Sequence, residues 1–266
     1  MSYLKDLNYS ALALPSATLT PGTVLVKQDG KLVLPSPLDS VFAQGDAAAP
    51  MVSPDVPGPS IEGDRARAFK LNIGLSILGT FIKALGGNLG FGFQYDRAKT
   101  VKLSFKEVKR NFLGRPDAQG VLREDAAALD RFLDDADFKA VGTIRDEMRQ
   151  GDLYLVLDTI KSNKIAVVGT DKNGNEIHVD VPTVGGAVGG NIKVGSGNQS
   201  STQIIYEGST ALVFGCKVVR VVFENNKFRR VESQIMPVAA AAIGGGAPAD
   251  DSPEVFTSGG VVVAIG

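Results

Sequence analysis

Two adjacent segments in the first half of the chain constrain the fold more than any other feature. The first, LNIGLSILGTFIKALGG (residues 71–87), is apolar almost all round, carries Lys83 near its end and closes with Gly86 and Gly87, which commonly terminate helices. A membrane-spanning helix needs about 20 apolar residues. This shorter, charged segment therefore favours a buried core helix, with a helix lying at a membrane interface as the open alternative.

The second segment, FGFQYDRAKTVKLSF (residues 91–105), has the alternation of a strand with two different faces. Its odd positions are apolar or aromatic except for Arg97 and Lys99. Further strand patterns occupy residues 152–170, 175–182, 202–208 and 211–223. Asn173 and Gly174 predict a hairpin turn in which both residues have positive φ.

Amphipathic helix patterns and loop compositions complete the fold prediction. A helix is expected over residues 122–137, with Leu122, Leu129, Phe132 and Leu133 inward, and another over residues 141–151. The proline-rich residues 50–60 and the glycine- and serine-rich residues 185–201 are expected to be loops. The sequence therefore predicts an α+β fold, a twisted and mostly antiparallel sheet with surrounding helices.

The last thirty residues differ in composition from the rest of the chain. Residues 237–266 contain no lysine or arginine, and IGGGAPADDSPE (residues 243–254) is typical of a flexible linker. The chain then ends in the apolar run VVVAIG (residues 261–266). Because an apolar end on a loose tether usually docks onto a surface, we predict a main domain over residues 1–238 and a tail over residues 239–266.

Enzyme chemistry finds no support in the sequence. The chain has a single histidine, His178, and a single cysteine, Cys216. These are too few for a zinc cage, and no motif builds a catalytic triad around the histidine. The glycine-rich phosphate-binding and dinucleotide-binding motifs are missing too. We therefore predict no catalytic residue, no metal site and no cofactor, and expect that the chain is not an enzyme.

Charge gives no global attraction to a partner, because the formal net charge of the 266 residues is -1. A nucleic-acid partner is not predicted. Locally, residues 61–115 carry 11 basic and 4 acidic residues, whereas residues 116–160 carry 5 basic and 11 acidic ones. These segments either neutralise each other by packing or form separate solvated surfaces. A start without a secretory signal and a lone cysteine favour the cytoplasm.

Four blocks of the sequence, taken in order, resemble the bacterial gasdermins over residues 3–228. They are FKLNIGLSILGTFIKALGG, DLYLVLDTIKSNKIAV, VDVPTVGGAVGGNIKV and YEGSTALVFGCKVVRV. The resemblance implies a fold like the gasdermin N-terminal domain and an autoinhibited, pore-forming protein of prokaryotic anti-phage defence. It also implies activation by a protease, often caspase-like, that removes a short C-terminal peptide. The freed protein would bind the inner membrane, oligomerise and cause cell death.

One departure from the family pattern concerns lipidation. Bacterial gasdermins commonly carry a palmitoylated cysteine near the N-terminus, and this sequence has none there. Cys216 falls in a predicted strand and is no substitute. We therefore predict no N-terminal lipidation.

Combined with the strand pattern, the resemblance predicts which residues enter a membrane. A transmembrane strand needs about 9 to 11 residues with alternating faces, and a cation costs roughly 2 to 4 kcal/mol at the bilayer midplane but about 0 to 1 near an interface. Arg97 and Lys99 should therefore mark a hairpin tip or a headgroup boundary. The charged residues 171–176 should form the tip of a second hairpin. The insertion candidates are Phe91, Phe93, Tyr95, Val101, Leu103, Phe105, Ile165, Val167, Ile177, Val179 and Val181. The candidates for lipid headgroup contact are Arg97, Lys99, Lys102, Lys106, Lys109 and Arg110.

Unpaired strands cannot enter a bilayer singly, because their backbone groups would lack hydrogen bonds. The active form is therefore expected to be a homo-oligomer closed into an antiparallel transmembrane β-barrel, and the autoinhibited form a monomer. In the closed form the apolar helix of residues 73–85 is a plausible cover for the insertion candidates.

The tail is expected to hold the closed form as an autoinhibitory peptide. Its docking residues would be Val255, Phe256, Val261, Val262, Val263 and Ile265. Cleavage is expected between Ala239 and Phe256, where Asp250 and Asp251 suit an aspartate-directed protease and the absence of lysine and arginine argues against a trypsin-like one. The alternative is a permanently soluble binding or scaffold domain in which VVVAIG is merely an added strand.

Overall fold

The structure is a computed structural model that describes residue 4 and residues 7–28, 31–43, 49–59, 67–89, 95, 97–135, 137–138, 153–181, 192–196, 202–224, 227–231 and 263–264. Its strands are β1 (Ser10–Ser16), β2 (Thr23–Gln28), β3 (Lys31–Pro37), β4 (Phe42–Ala43), β5 (Met51–Pro57), β6 (Arg67–Lys70), β7 (Thr100–Lys106), β8 (Lys109–Pro116), β9 (Leu122–Arg123), β10 (Asp137–Phe138), β11 (Leu153–Thr170), β12 (Glu176–Ile177), β13 (Lys193–Ser196), β14 (Ile204–Glu224), β15 (Lys227–Val231) and β16 (Val263–Ala264). Its helices are α1 (Leu38–Val41), α2 (Leu71–Ala84) and α3 (Ala126–Asp135).

Two long strands form the frame of the sheet. Strands β11 and β14 have 18 and 21 residues and pair antiparallel from Leu153 opposite Val221 to Val167 opposite Ile204. Both are rich in valine and isoleucine, whose branched side chains pack well on a pleated surface. On the other edge of β11, β8 pairs with residues 158–161 and β7 pairs with residues 164–170, and β6 continues the sheet beyond β7.

Six strands of this sheet form a closed circuit of backbone pairing. Strand β14 pairs with β1, β1 with β16, β16 with β3, β3 with β2, β2 with β11, and β11 again with β14. Each of these pairs is antiparallel. Strand β16, called the tail strand below, comes from the C-terminal segment. Val263 lies opposite Leu12 on β1 and opposite Leu32 on β3, so the tail strand occupies the place between them.

Apolar side chains collect in two main clusters, one at each end of the long strands. Core A contains Leu4, Tyr9, Leu78, Phe81, Ile82, Tyr95, Ala98, Val101, Leu103, Phe105, Ile160, Ile165, Val167, Val179, Ile192, Ile204, Tyr206, Leu212 and Phe214. Core B contains Val24, Val41, Phe42, Leu113, Leu129, Phe132, Leu133, Leu153, Leu155, Val219 and Val221. A smaller cluster that includes Leu12, Leu25 and Cys216 lies beside them.

Helix α2 confirms the predicted core helix and its glycine stop. Leu78, Phe81 and Ile82 are fully buried in core A. The helix ends where Gly87 N–H donates to the Ile82 carbonyl and Gly86, at φ +85°, donates to the Lys83 carbonyl. Among the described residues, no helix combines the length and the apolar content that crossing a membrane requires.

Helix α3 is shorter than the helix predicted over residues 122–137. It begins at Ala126, where the carboxylate of Asp125 caps the first turn by accepting the Ala128 N–H at 2.8 Å. Leu129, Phe132 and Leu133 face core B as expected. Leu122, expected on the same helix face, instead belongs to strand β9. The helix predicted over residues 141–151 lies outside the described residues.

Two expected loops contain strands. Residues 50–60 include β5, which pairs with β8 and shifts register between Ser53 and Val56, where Pro54 lies. An irregular strand of this kind tolerates proline. Residues 185–201 include β13, which pairs with β14 from Lys193 opposite Glu207. Composition gave no indication of β13 because glycine is depleted in strands, and β13 forms by pairing with the strand that follows it.

Two local predictions around the insertion candidates were wrong for the conformation seen here. Among the described residues of the strand predicted from residue 91, Tyr95 and residues 97–99 are not in a strand, because Ala98 N–H donates to the Tyr95 carbonyl at 2.8 Å in a turn that precedes β7 at Thr100. The hairpin of residues 171–175 has three residues in its turn rather than two. Of the predicted pair, Gly174 alone has positive φ, and the Asp171 carboxylate accepts the N–H groups of Asn173 and Asn175.

Candidate functional site

The structure brings the two predicted insertion segments together in core A. Strands β7 and β11 are direct neighbours, with Phe105 opposite Ile165 and Leu103 opposite Val167. The buried candidates of core A are Tyr95, Val101, Leu103, Phe105, Ile165, Val167 and Val179, and Ile177 and Val181 pack against them half-buried. Phe91 and Phe93 lie outside the described residues. Apolar faces that are far apart in the sequence therefore form one continuous buried surface.

Helix α2 covers this surface with an aromatic contact. The Phe81 ring meets the Phe105 ring edge-on, with 5.6 Å between centroids, and Phe105 stacks on Phe214 at 3.7 Å. Edge-on and stacked aromatic pairs contribute about 0.5 to 1.5 kcal/mol beyond the area that they bury. Phe81 thus joins the helix to both sheet strands under it.

Tyr95 fixes the turn before β7 onto the sheet. Its ring is fully buried, and its hydroxyl lies 3.1 Å from the hydroxyl of Tyr206 on β14. Arg97 and Lys99, which follow the buried Tyr95, are exposed.

The end of helix α2 contacts the backbone of β14 at Gly208. A β-carbon at this position would lie 2.5 Å from Cδ2 of Leu85, and the Gly208 carbonyl accepts the Asn163 side-chain N–H at 2.8 Å. We expect Gly208→Ala to lower the free energy of unfolding by about 1 kcal/mol, because the half-buried Leu85 side chain must move away from the added methyl. Urea denaturation measures the effect.

Gly195 on β13 is the matched control for that substitution, because no described residue lies within 4 Å of the β-carbon that Gly195→Ala would add. The control variant should match the parent or be slightly more stable, since alanine restricts the unfolded chain. Equal free energies of unfolding for both alanine variants would contradict the proposed contact.

The predicted headgroup residues do not form one surface in this conformation. Arg97, Lys99 and Lys109 are exposed, whereas Lys102, Lys106 and Arg110 are partly buried. Lys106 lines an open cleft of about 400 Å³ together with Lys164, Lys193, Glu107 and Glu207. Lys164 pairs there with Glu107 at 2.6 Å and with Glu207 at 3.6 Å. The described residues include no cluster of three side chains able to hold a metal ion.

Arg110 belongs to a buried polar cluster that the sequence analysis missed. Its Nε donates to Asp158 Oδ2 at 2.6 Å, and its Nη2 pairs with both Asp158 and Glu124. The Tyr9 hydroxyl donates to the same Asp158 oxygen at 2.9 Å, and Lys217 Nζ lies 3.6 Å from it. Tyr9, Arg110, Asp158 and Lys217 are called the Asp158 cluster below. The ion pairs of Arg110 also connect the basic segment of residues 61–115 with the acidic segment of residues 116–160.

Burial governs the electrostatics of this cluster. Asp158 is 2% exposed, and burial raises the pKa of its carboxyl, while Arg110 and Lys217 act in the opposite direction. Burial likewise raises the pKa of the Tyr9 hydroxyl, which therefore remains a donor. The run LYLVLDTI could have identified Asp158 as a buried charged residue, because its carboxylate interrupts an otherwise apolar strand pattern.

The tail takes part in the closed conformation through the backbone pairing of its strand with β1 and β3. Val263 of the predicted peptide is in the tail strand, whereas Val255, Phe256, Val261, Val262, Ile265 and the cleavage candidates Asp250 and Asp251 lie outside the described residues. Cys216 lies in β14 as expected and is fully buried, and burial raises the pKa of its thiol to about 12.

Comparison with known proteins finds similarity over most of the chain. The model of the Bacterial Gasdermin Family matches residues 12–230. A protein named Gasdermin bGSDM from a Desulfuromonadales bacterium is 30% identical over 97% of this chain and 94% of its own length. A protein of the same name from Lysobacter enzymogenes is 31% identical over 96% of this chain and 92% of its own length.

A solved structure shares the fold. The structure of a bacterial gasdermin from Bradyrhizobium tropiciagri covers 86% of this chain and 89% of that chain, with a TM-score of 0.59 and 17% sequence identity. This similarity confirms the predicted fold class, a mostly antiparallel sheet with few helices.

Proposed function

Because the chain belongs to the bacterial gasdermin family, whose members are known as pore-forming proteins and not as enzymes, we propose that its tail holds it closed and that proteolytic removal of the tail starts pore formation. The observation that carries this proposal is the position of the tail strand between β1 and β3. In this proposal residues 1–238 form the pore-forming domain, and residues 239–266 form the linker and the autoinhibitory peptide.

A tethered strand suffices as a lock while the chain is intact. The linker keeps the peptide at an effective concentration of about millimolar near its place in the sheet, so that modest contacts keep it bound. Cleavage between Ala239 and Phe256, with Asp250 or Asp251 as candidate sites for a caspase-like protease, ends this tethering. The peptide then dissociates, and the population moves from the closed form toward an insertion-competent form.

Membrane entry would use the apolar surface of core A. The insertion candidates on β7 and β11 would lose their contacts with helix α2 and β14 and would contact lipid instead. Arg97 and Lys99 would stay at a hairpin tip or headgroup boundary, where placing a cation costs the least free energy. Lys102, Lys106, Lys109 and Arg110 would contact headgroups near the surface. Since single strands cannot insert, the active form is a homo-oligomer whose hairpins close an antiparallel barrel.

The proposed cellular setting is the one that the family resemblance implies. We place the closed monomer in the cytoplasm and the activated oligomer in the inner membrane, where permeabilisation kills an infected cell and limits phage spread. Neither an N-terminal lipid nor a cofactor has a part in this proposal.

Dye release from vesicles tests the proposal. A chain truncated after Ala247 should release dye from vesicles of phosphatidylethanolamine and phosphatidylglycerol and should sediment as an oligomer, whereas the intact chain should remain monomeric and leave the vesicles sealed. A truncated chain that stays monomeric and inactive at every dose would favour the soluble binding or scaffold domain. Mass spectrometry that placed the activating cut before Arg230 would exclude the proposed role of the tail.

A further inference from the structure

The Asp158 cluster lies where four parts of the chain meet. Tyr9 directly precedes β1, Arg110 lies in β8, Asp158 lies in β11, and Lys217 lies in β14. The three donors all approach one oxygen of the carboxylate, Oδ2. With Glu124 on the outer side of Arg110, two cations face two carboxylates. The cluster is therefore balanced in charge and depends on four separate segments staying in place.

Stability alone does not account for such a cluster. Asp158 is 2% exposed, and its second oxygen, Oδ1, has no hydrogen-bond partner in the part of the chain that the structure describes. Replacing a buried ion network by well-packed apolar residues is often neutral or stabilising, whereas removing one partner is costly. A network of this kind therefore favours one specific arrangement of the chain over others.

Asp158 also marks a boundary along the long strands. On β11, Leu153 and Leu155 before it belong to core B, whereas Ile160 after it belongs to core A. The pairing of β11 with β14 shifts register on both sides, between Val156 and Asp158 and again between Ile160 and Lys161. Every insertion candidate that the structure describes lies in or against core A.

The cluster is connected to the tail strand through β1. Leu12 pairs with Val263 of the tail strand, and Ser10, next to Tyr9, pairs with Cys216, next to Lys217. The Lys217 ammonium also lies 4.7 Å from the centre of the Tyr9 ring. A displacement of β1 after loss of the tail strand would therefore act first on the hydroxyl that Tyr9 donates to Asp158.

We propose that the Asp158 cluster is a latch that couples the tail strand, through β1 and Tyr9, to the two long strands and limits the rearrangement to the core A side. While the tail strand is docked, the Tyr9 hydroxyl keeps its hydrogen bond to Asp158, and β11 and β14 keep the pairing seen in this structure. When the tail leaves, Tyr9 withdraws, Asp158 loses a donor, and core A opens while core B stays folded. This inference rests on the proposed function.

The test uses the intact chain without protease. Tyr9→Phe removes the donated hydrogen bond but keeps the ring, and Asp158→Asn removes the charge but keeps the shape. We expect each variant to release dye from phosphatidylethanolamine and phosphatidylglycerol vesicles at least about tenfold faster than the intact parent, since hydrogen bonds to charged groups are among the stronger ones. In the chain truncated after Ala247, Tyr9→Phe should change the rate less than twofold, because the latch is already open.

Thr159→Val is the matched control, because Thr159 is fully buried beside Asp158 and adjacent strand residues point to opposite faces. This variant should leave the intact chain as inactive as the parent. If Asp158→Asn fails to fold, Tyr9→Phe decides the result. A truncated parent that releases no dye overturns the proposed function and the latch with it. A truncated parent that releases dye, with intact Tyr9→Phe no faster than Thr159→Val, overturns the latch alone.

Discussion

The intact chain carrying Val263→Pro should release dye from vesicles without any protease, at a rate close to that of the chain truncated after Ala247. Val263 lies between Leu12 on β1 and Leu32 on β3, so the tail strand has a neighbour on each side. Proline has no N–H to donate and is found in sheets at edges and bulges rather than between two strands. An unmade backbone hydrogen bond costs about 1 to 3 kcal/mol, which shifts the docking equilibrium by roughly fivefold to 150-fold.

Val263→Ala is the matched control for this prediction. It shortens the side chain but keeps the backbone donor, so the intact Val263→Ala chain should keep vesicles sealed. Sedimentation provides a second measurement, since the proline variant should assemble in the presence of vesicles and the alanine variant should remain monomeric. A proline variant as inactive as the parent would show that the backbone pairing of the tail strand does not hold the closed form.

The variant Phe81→Ala should both destabilise the closed form and make the intact chain active on vesicles. Phe81 is 1% exposed and joins helix α2 to Phe105 and, through it, to Phe214. Removing a buried phenylalanine side chain typically lowers the free energy of unfolding by about 3 to 5 kcal/mol. Because Phe81 covers an insertion candidate, its loss should also expose the apolar surface that the proposed function assigns to lipid.

Core B offers a matched variant for Phe81→Ala. Phe132 is 2% exposed and contacts Phe42 edge-on, with 6.3 Å between ring centroids. Phe132→Ala should lower the free energy of unfolding by a similar amount, about 3 to 5 kcal/mol, but should leave vesicles sealed. Urea denaturation compares the two losses of stability, and dye release compares the two activities. Equal dye release from both variants would mean that activation follows from general destabilisation and not from uncovering core A.

Local sequence patterns predicted the helices and strands that are determined by residues close to one another in the sequence. The apolar run with Gly86 and Gly87 predicted helix α2 and its end, because helix termination depends on residues close in sequence. The β-branched runs predicted β11 for the same reason, and they predicted as two strands, over residues 202–208 and 211–223, what the structure shows as the single strand β14. The resemblance carried by four blocks predicted the family, which the match over residues 12–230 confirms.

Features that depend on distant partners were not predictable from one sequence. Strand β5 forms in a proline-rich segment because the distant strand β8 provides its hydrogen bonds. The Asp158 cluster brings together side chains from four segments, and none of these segments alone indicates the other three. The insertion candidates were found from alternation, but their shared surface depends on the pairing of β7 with β11.

The directions of the two strands beside the tail strand determine how easily the sheet can close after the tail strand leaves. Both β1 and β3 run antiparallel to the tail strand and therefore run parallel to each other. Adjacent strands lie about 4.8 Å apart, so a vacated place leaves them separated by roughly twice that spacing. Direct closure would create a parallel ladder, which is slightly less stable per residue than the antiparallel one it replaces. A vacated place between β1 and β3 would therefore still favour one more strand of opposite direction, and the proposed control of the sheet by a short tail strand relies on this preference.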